Sequence, residues 1–393
     1  MIADPGSIDC ASASAQARPK IAWLSPLPPQ RSGIANYSYW LIKSLKSDVD
    51  LHLFSKEEPT SELSDEFVVL PVSEFPKRFP EYDDVVYHLG NNALFHKHIY
   101  ELAWDYPATL VLHDYNLSGF MREAFYRHHL YHKALQRIQL RSDPADQQKQ
   151  SAMSHAIVNR SRRVIVHHRW ARNEFKEHPN VTVIPHFARI NYTPTADDLR
   201  RFKDKFALKD DHFVITCLGF VNLNKMPALQ IEVAKQLLAE GYPVQFVFAG
   251  EPAPDALDLF VRSKLDGFSA NIISTGYLDE VDYFSAIFAS DVIINLRNPT
   301  MGESSGTLAH ALAAGRPTIV SDVNQYKEFP DTVCWKLGHD EYEKEILLEY
   351  LRTLLREPAL RRAMSANAIS FSRDVLGLDI VAQQWLKTLR PVF

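Results

Sequence analysis

Arg297-Asn298-Pro299-Thr300-Met301-Gly302-Glu303-Ser304-Ser305-Gly306-Thr307 is the stretch on which the reading of this chain turns. It follows the apolar run Val292-Ile293-Ile294-Asn295-Leu296 and precedes a helical pattern from Leu308 to Ala314 that ends at Gly315. A glycine- and serine-rich turn between a strand and a helix has the physics of an anion site. Small residues let backbone N–H groups approach a phosphate, and the helix adds its positive end. Ser304, Ser305 and Thr307 add hydroxyl donors, and Arg297 adds a full charge. Glu303 would be repelled by phosphate and is better suited to accept hydrogen bonds from sugar hydroxyls. A serine-capped strand-to-helix turn gives the same pattern with no ligand at all.

Outward from this stretch, the chain repeats one rhythm. Short apolar runs at 21–26, 49–54, 68–70, 84–88, 108–113, 163–168 and 181–185 read as strands separated by helical patterns. Helix 34–46 is typical, with Ile34, Tyr37, Leu41, Ile42 and Leu45 on one face. A second series starts near Asp211, with strands at 213–219, 244–250, 271–277, 290–296 and 317–320. Alternating strands and helices predict parallel sheets covered on both faces. The expected architecture is α/β, two doubly wound domains facing each other across a cleft, with ligands at the carboxyl ends of the strands. The expected division is a mobile tail at 1–19, a first domain at 20–195, a second at 196–371, and a helix within 372–393 free to pack back on either domain, the first being the candidate. Ser142 to Lys149 reads as an exposed loop.

The order of residues resembles the family 4 retaining glycosyltransferases of GT-B fold. That family carries a Glu, a small or aromatic pair, a Gly, then a helix with a second Glu and an Ala-rich end before Gly and Pro. Glu303-Ser304-Ser305-Gly306 and Ala311-Leu312-Ala313-Ala314-Gly315-Arg316-Pro317 correspond. The second Glu is missing, since Ala311 or, aligned on Gly315, His310 stands there. Gly219-Phe220-Val221-Asn222-Leu223-Asn224-Lys225 resembles the family's Gly-Arg…Lys loop, whose cations face the donor diphosphate. Lys225 keeps that role by resemblance. Phe220 replaces the arginine, with Arg297 as the candidate substitute.

The resemblance implies further sites. Ser32-Gly33 stands at the family's first loop, and His113, in Leu112-His113-Asp114, at its sugar-contacting histidine. Tyr277 and Leu278 stand where the family reads the nucleobase. His88, Asn91 and Asp114 are candidates for the acceptor side. Catalysis would rest on His113, Glu303, Lys225 and Arg297. Donor binding would rest on Gly33, Gly219, Tyr277, Leu278, Ser304, Ser305, Gly306, Thr307 and His310. The implied reaction moves a hexosyl group from a nucleoside diphosphate sugar to a hydroxyl of a glycan or lipid-linked acceptor, with no metal and no cofactor. The alternatives are a same-fold epimerase or phosphorylase, and a nucleotide-sugar-binding partner protein without turnover.

Composition is consistent with this. The chain has 393 residues, 46% hydrophobic and 23% charged, and a net charge of −5. A basic field for nucleic acid is absent from the whole-chain balance. Its 3 cysteines, Cys10, Cys217 and Cys334, form no paired framework. No apolar run reaches the ~18 residues of a membrane span. A cytoplasmic protein is expected. Residues 119–141 carry Met121, Phe125, His128, Tyr131, Leu135 and Ile138 along one helical face among Arg122, Arg127, Lys133, Arg137 and Arg141. A basic amphipathic stretch of this kind suits peripheral contact with an anionic membrane, here its inner face.

Overall fold

The computed structural model describes residues 18–126 and 152–389. The first domain is built on β1 (Lys20–Leu24), β2 (Asp50–Ser55), β3 (Val68–Pro71), β4 (Asp84–Leu89), β5 (Thr109–Leu112), β6 (Arg163–Val166) and β7 (Val181–Val183). They pair in the order β3-β2-β1-β4-β5-β6-β7, all parallel. The second sheet holds β8 (Phe213–Leu218), β9 (Val244–Ala249), β10 (Ile272–Ser274), β11 (Val292–Asn295), β12 (Thr318–Ser321) and β13 (Cys334–Leu337). Its order is β10-β9-β8-β11-β12-β13, again parallel throughout. Strands buried on both faces need apolar side chains on both faces. That is why β8, β9, β11 and β12 are buried along their whole length.

In each sheet the winding direction reverses once, between β1 and β4 and between β8 and β11. Such a switch point leaves a crevice at the strand ends, where α/β folds bind ligands. The loops leaving these four strands carry Gly33, His88 to Asn91, Gly219 to Lys225, and Arg297 to Ser305. The sites read from the sequence therefore fall at two switch points.

The chain passes between domains twice. The first crossing ends at helix Ala196–Lys205, started by a capping box in which Thr195 and Asp198 satisfy each other's backbone N–H groups. The second follows helix Pro358–Asp374, which runs past residue 371. The two crossings are joined where Ala188 N–H donates to the Leu376 carbonyl at 2.7 Å. Helix Leu378–Leu389 then packs on the first sheet. Val381, Trp385 and Leu389 share a core with Ile21, Trp23 and Leu41. Ile380, part of the same sequence pattern, is instead 38% exposed.

Helices Pro254–Leu265 and Glu343–Arg356 and strand β13 have no counterpart in the sequence reading. The strand is four residues long with a lysine, at the sheet edge, and its apolar signal is too short to stand out. The predicted loop 142–149 and residues 127–141 of the basic stretch lie outside the described residues. In the described part of that stretch, Met121 and Phe125 pack on the first-domain core. Among the described residues, no helix is long and apolar enough to cross a membrane.

Candidate active site

The loop from Arg297 to Ser305 leaves β11 and lies across the end of β5, forming a seam between the domains. Tyr115 N–H donates to the Gly302 carbonyl at 3.2 Å, Asn116 N–H to Met301 at 2.9 Å, and Ser304 N–H to His113 at 3.1 Å. His168 Nε2 donates to the same Gly302 carbonyl at 3.2 Å. Gly302 has φ +65°, and a β-carbon there would lie 2.6 Å from Tyr115 Cβ and 2.7 Å from Trp170. Only glycine fits so close an approach at this backbone angle.

Within the loop, Arg297 Nε meets Glu303 Oε1 at 2.9 Å. The Arg297 Nη1 donates to the Leu296 carbonyl at 2.6 Å, and Ser321 Oγ receives the Arg297 amide. Glu303 Oε2 accepts from Thr300 Oγ1 at 3.0 Å and from Met301 N–H at 2.8 Å. A carboxylate has about four acceptor positions, so Glu303 retains about one for a further donor. Arg297 is largely spent on Glu303, which corrects its assignment as a free substitute for the arginine absent at position 220.

Helix Gly306–Ala313 starts behind this ion pair. Its N-cap Ser305 accepts from Leu308 N–H. Ser305 Oγ and Thr307 Oγ1 both reach Asn295 Oδ1, at 3.3 and 3.2 Å. The Ser304 amide is committed to His113, while the Gly306 and Thr307 amides belong to the helix's open first turn. A β-carbon at Gly306 would meet only His186, at 3.7 Å.

Gly219, after β8, has φ +76°, and a β-carbon there would lie 3.0 Å from Thr307 and 3.2 Å from Lys225 Nζ. These three predicted residues thus converge. Lys225 is buried and donates to the Leu218 carbonyl. Burial, with Arg297 nearby, pulls its ammonium down to about 7. Phe220, by contrast, is exposed.

The first-domain wall is histidine-rich. His88 of β4 forms one row with His113 and His167, the residues just after β5 and β6. His167 Nδ1 donates to the Ile184 carbonyl at 2.9 Å, leaving Nε2 to accept from His113 Nδ1 at 3.1 Å. His113 Nε2 then accepts from His88 Nδ1 at 2.9 Å, and the buried His88 Nε2 has no partner. Burial and mutual repulsion hold His88 and His113 well below the usual histidine range. Burial puts His167 at about 3 and His186 at about 4. Both ring nitrogens of His113 are therefore used within the protein, and His88 is fully buried. Neither ring presents itself to a sugar or an acceptor, contrary to the roles read from the sequence. His113 and His167 lie level just past the paired ends of β5 and β6, while His88, opposite Val111, reaches His113 from two residues back along β4.

Asn91 is likewise structural, since its Oδ1 caps Phe120 N–H at 2.7 Å. Asp114 Oδ2 accepts from Asn91 N–H at 2.6 Å, and its backbone bridges that of Glu303. Burial, with some repulsion from Glu303, raises the Asp114 carboxyl to about 7.

His310 Nδ1 pairs with Tyr283 OH at 3.1 Å and its ring packs on Phe284, so it is engaged within its own domain. Tyr277 is exposed, with its N–H bonded to Glu251 at 3.0 Å, whereas Leu278 is buried. Gly33 opens its helix with nothing within 4 Å of a built β-carbon.

Residues the sequence reading missed are second partners. Gln325 Nε2 donates to Thr300 Oγ1 and to the Glu303 carbonyl, and Glu328 accepts from Arg169 and Trp170 N–H at 3.0 and 2.6 Å. Their signal is only positional, just after a strand end. They border an interdomain cavity of about 340 Å3 with His168, His186, Ser304 and Phe371. Among the described residues, no group of three or more His, Cys, Asp or Glu is placed to hold a metal ion.

The two parallel sheets and their helices make a two-domain α/β scaffold of GT-B architecture. Residues 198–371 match the family of glycosyl transferases group 1. HepE from Anabaena, solved in complex with UDP, is similar over 94% of this chain and 99% of its own, at 15% identity and TM-score 0.68. Sucrose-phosphate synthase from Thermosynechococcus elongatus is similar over 94% and 98%, at 15% identity and TM-score 0.66. WaaG, a glycosyltransferase involved in lipopolysaccharide biosynthesis, is similar over 94% and 99%, at 15% identity and TM-score 0.63. At such identities the likeness establishes the fold. No curated protein matches the chain in sequence.

Proposed function

We propose that this protein is a retaining, metal-independent glycosyltransferase that moves a hexosyl group from a nucleoside diphosphate sugar to an acceptor hydroxyl. The observation that carries the reading is the convergence of Gly219, Lys225 and Thr307 beside the Arg297–Glu303 pair, at a switch point inside the matched family region. The Gly306 and Thr307 amides, the helix N-terminus and Lys225 offer the leaving diphosphate positive charge. Fixed donors of this kind are usually the largest electrostatic contribution to such a step. The remaining acceptor position of Glu303 orients a sugar hydroxyl. Asp114, across the seam, is the residue this reading assigns to the acceptor side.

HepE has been solved with UDP and with UDP-glucose, which makes UDP the first nucleotide to try. The test is thermal stabilisation by UDP, ADP, GDP and their sugars, with and without EDTA, then transfer to sugar and polyprenyl-linked acceptors. A ligand at about 100 times its Kd stabilises by about 2.7 kcal/mol. The reading expects one base to be preferred, no effect of EDTA, and product with retained anomeric configuration. Loss of transfer in EDTA with rescue by a divalent ion would remove the metal-independent part.

A glycan or lipid-linked acceptor, and peripheral contact with the inner face of the membrane, belong to the same proposal. The sequence supports them through the basic run that begins at Arg122, and cosedimentation with anionic vesicles tests the contact. A second reading, donor binding without turnover, draws on Phe220 and on the engagement of His310 with Tyr283. Binding of a nucleotide sugar with neither transfer nor hydrolysis would favour it.

A further inference from the structure

A diphosphate in the cleft needs cations, and the second domain has few to spare. Arg297 is paired to Glu303 and to its own loop carbonyl. Lys225 is buried and already bonded to Leu218. Position 220 carries an exposed phenylalanine. The shortfall directs attention to cations that enter from the opposite domain.

Arg31 is such a group. It lies on the loop between β1 and helix Gly33–Leu45, at the switch point of the first sheet. The loop is pinned on both sides of it. Gln30 N–H donates to Leu27 at 3.0 Å, Thr60 N–H donates to Pro28 at 3.2 Å, and Ser32 caps the helix that follows. The Arg31 side chain crosses the cleft, and its guanidinium lies 4.6 Å from the ring centroid of Tyr277 in the second domain. Among the described residues it has no carboxylate partner. A guanidinium resting on an aromatic face keeps its N–H edges free. Those edges suit the paired oxygens of a phosphate. Arg189, also without a carboxylate partner, sits 3.8 Å over Trp40 of the first domain and does not bridge the cleft in this way.

We propose that Arg31 is the principal diphosphate-binding cation of this protein, supplied across the cleft and held at its mouth by Tyr277. The assignment rests on the donor reading above. It means that tight donor binding requires the cleft to be closed, because the charge that holds the diphosphate belongs to the domain opposite the nucleotide.

Isothermal titration of the full chain with uridine, UMP and UDP tests it, beside the corresponding adenine and guanine series. Arg31→Ala is expected to weaken nucleoside diphosphate binding about 10- to 100-fold, the range for a lost charge-assisted hydrogen bond. It should leave the nucleoside within about twofold, because the loss is confined to the phosphates. Arg31→Lys should recover part of the loss, as a point charge without the paired geometry. Arg262→Ala, which removes an exposed arginine from helix Pro254–Leu265, controls for net charge and should change nothing. Unchanged diphosphate affinity in Arg31→Ala would overturn the assignment, as would equal losses for nucleoside and diphosphate. If the native chain binds the diphosphates normally in either case, the donor reading survives and only Arg31 is misassigned. If the native chain binds no nucleoside diphosphate, both fall.

Discussion

The two walls of the cleft are built from the same architectural part, the carboxyl ends of parallel strands, yet their electrostatics are opposite in kind. On the first-domain wall, His88, His113 and His167 stand in a row bonded to one another, and burial keeps them neutral. On the second, Arg297 and Glu303 are joined as an ion pair, and Lys225 is buried beside Arg297 with its ammonium pulled down to about 7. The difference teaches that strand-end placement makes a residue available to the cleft without deciding its role. What decides it is whether neighbours exhaust its polar atoms. His113 has none left, while Glu303 keeps about one acceptor position.

The largest effect that would test this contrast is acid destabilisation. His96, His168 and His186 are lowered to about 4 and His167 to about 3, in each case mainly by burial. A lowered histidine means that the unfolded chain binds the proton first. Stability is therefore full above pH 6.5 and falls as pH drops from there toward 4, by up to about 1.4 kcal/mol per pH unit for each group. Urea unfolding at pH 7.5 and 5.5 should differ by several kcal/mol in sum. A flat profile would mean that these four histidines are solvated or paired.

Next is Glu303→Ala, which strands the Arg297 guanidinium at 12% side-chain exposure. Breaking a nearly buried pair from one side costs about 3 kcal/mol. Transfer should be lost as well, and Glu303→Gln should restore most of the stability but little of the turnover. Turnover near that of the native chain in either variant would detach Glu303 from the chemistry. Gly302→Ala comes third, at about 1–3 kcal/mol for the left-handed backbone, plus the collision with Tyr115 and Trp170. Small-angle scattering should register a looser seam.

Lys225→Met sharpens the comparison from the charged side. An arriving diphosphate favours the protonated amine, so affinity should be highest below pH 7 and fall as pH rises through about 7. The variant should lose this slope and bind UDP about tenfold more weakly. The smallest effect is expected from Glu328→Gln, which weakens the carboxylate's hold on the Arg169 and Trp170 amides by less than about 1 kcal/mol. Its readout is the spacing of the domains rather than chemistry. No change in scattering would show that the seam at 301–304 holds the closure alone.

Much of the scaffold was legible in the chain. Apolar runs such as Phe213 to Leu218 mark strands buried on both faces, and Gly315 and Pro317 mark where a helix stops and the next strand begins. Glu303 and Thr307 were marked by the small residues and helix cap of a strand-to-helix turn, and Gly219 and Lys225 by the family resemblance; the structure brings Gly219, Lys225 and Thr307 together. Helix Pro358–Asp374 was not legible, since Ser365, Asn367, Ser370 and Ser372 dilute the apolar period. Gln325 and Glu328 were not, because each acts on atoms distant in sequence.

The sequence by itself determined two parallel α/β domains, the strand ends that meet the cleft, and the residue types offered there, since periodicity and turn chemistry are local properties. Only the tertiary structure decided which of those residues keep a free polar atom. It spent His113 on its neighbours, tied Arg297 to Glu303, buried Lys225, and brought Arg31 across to Tyr277. The physical reason is that burial and hydrogen-bond partnership are set by what the fold packs alongside a group, and at this cleft the partners come from different strands and from both domains.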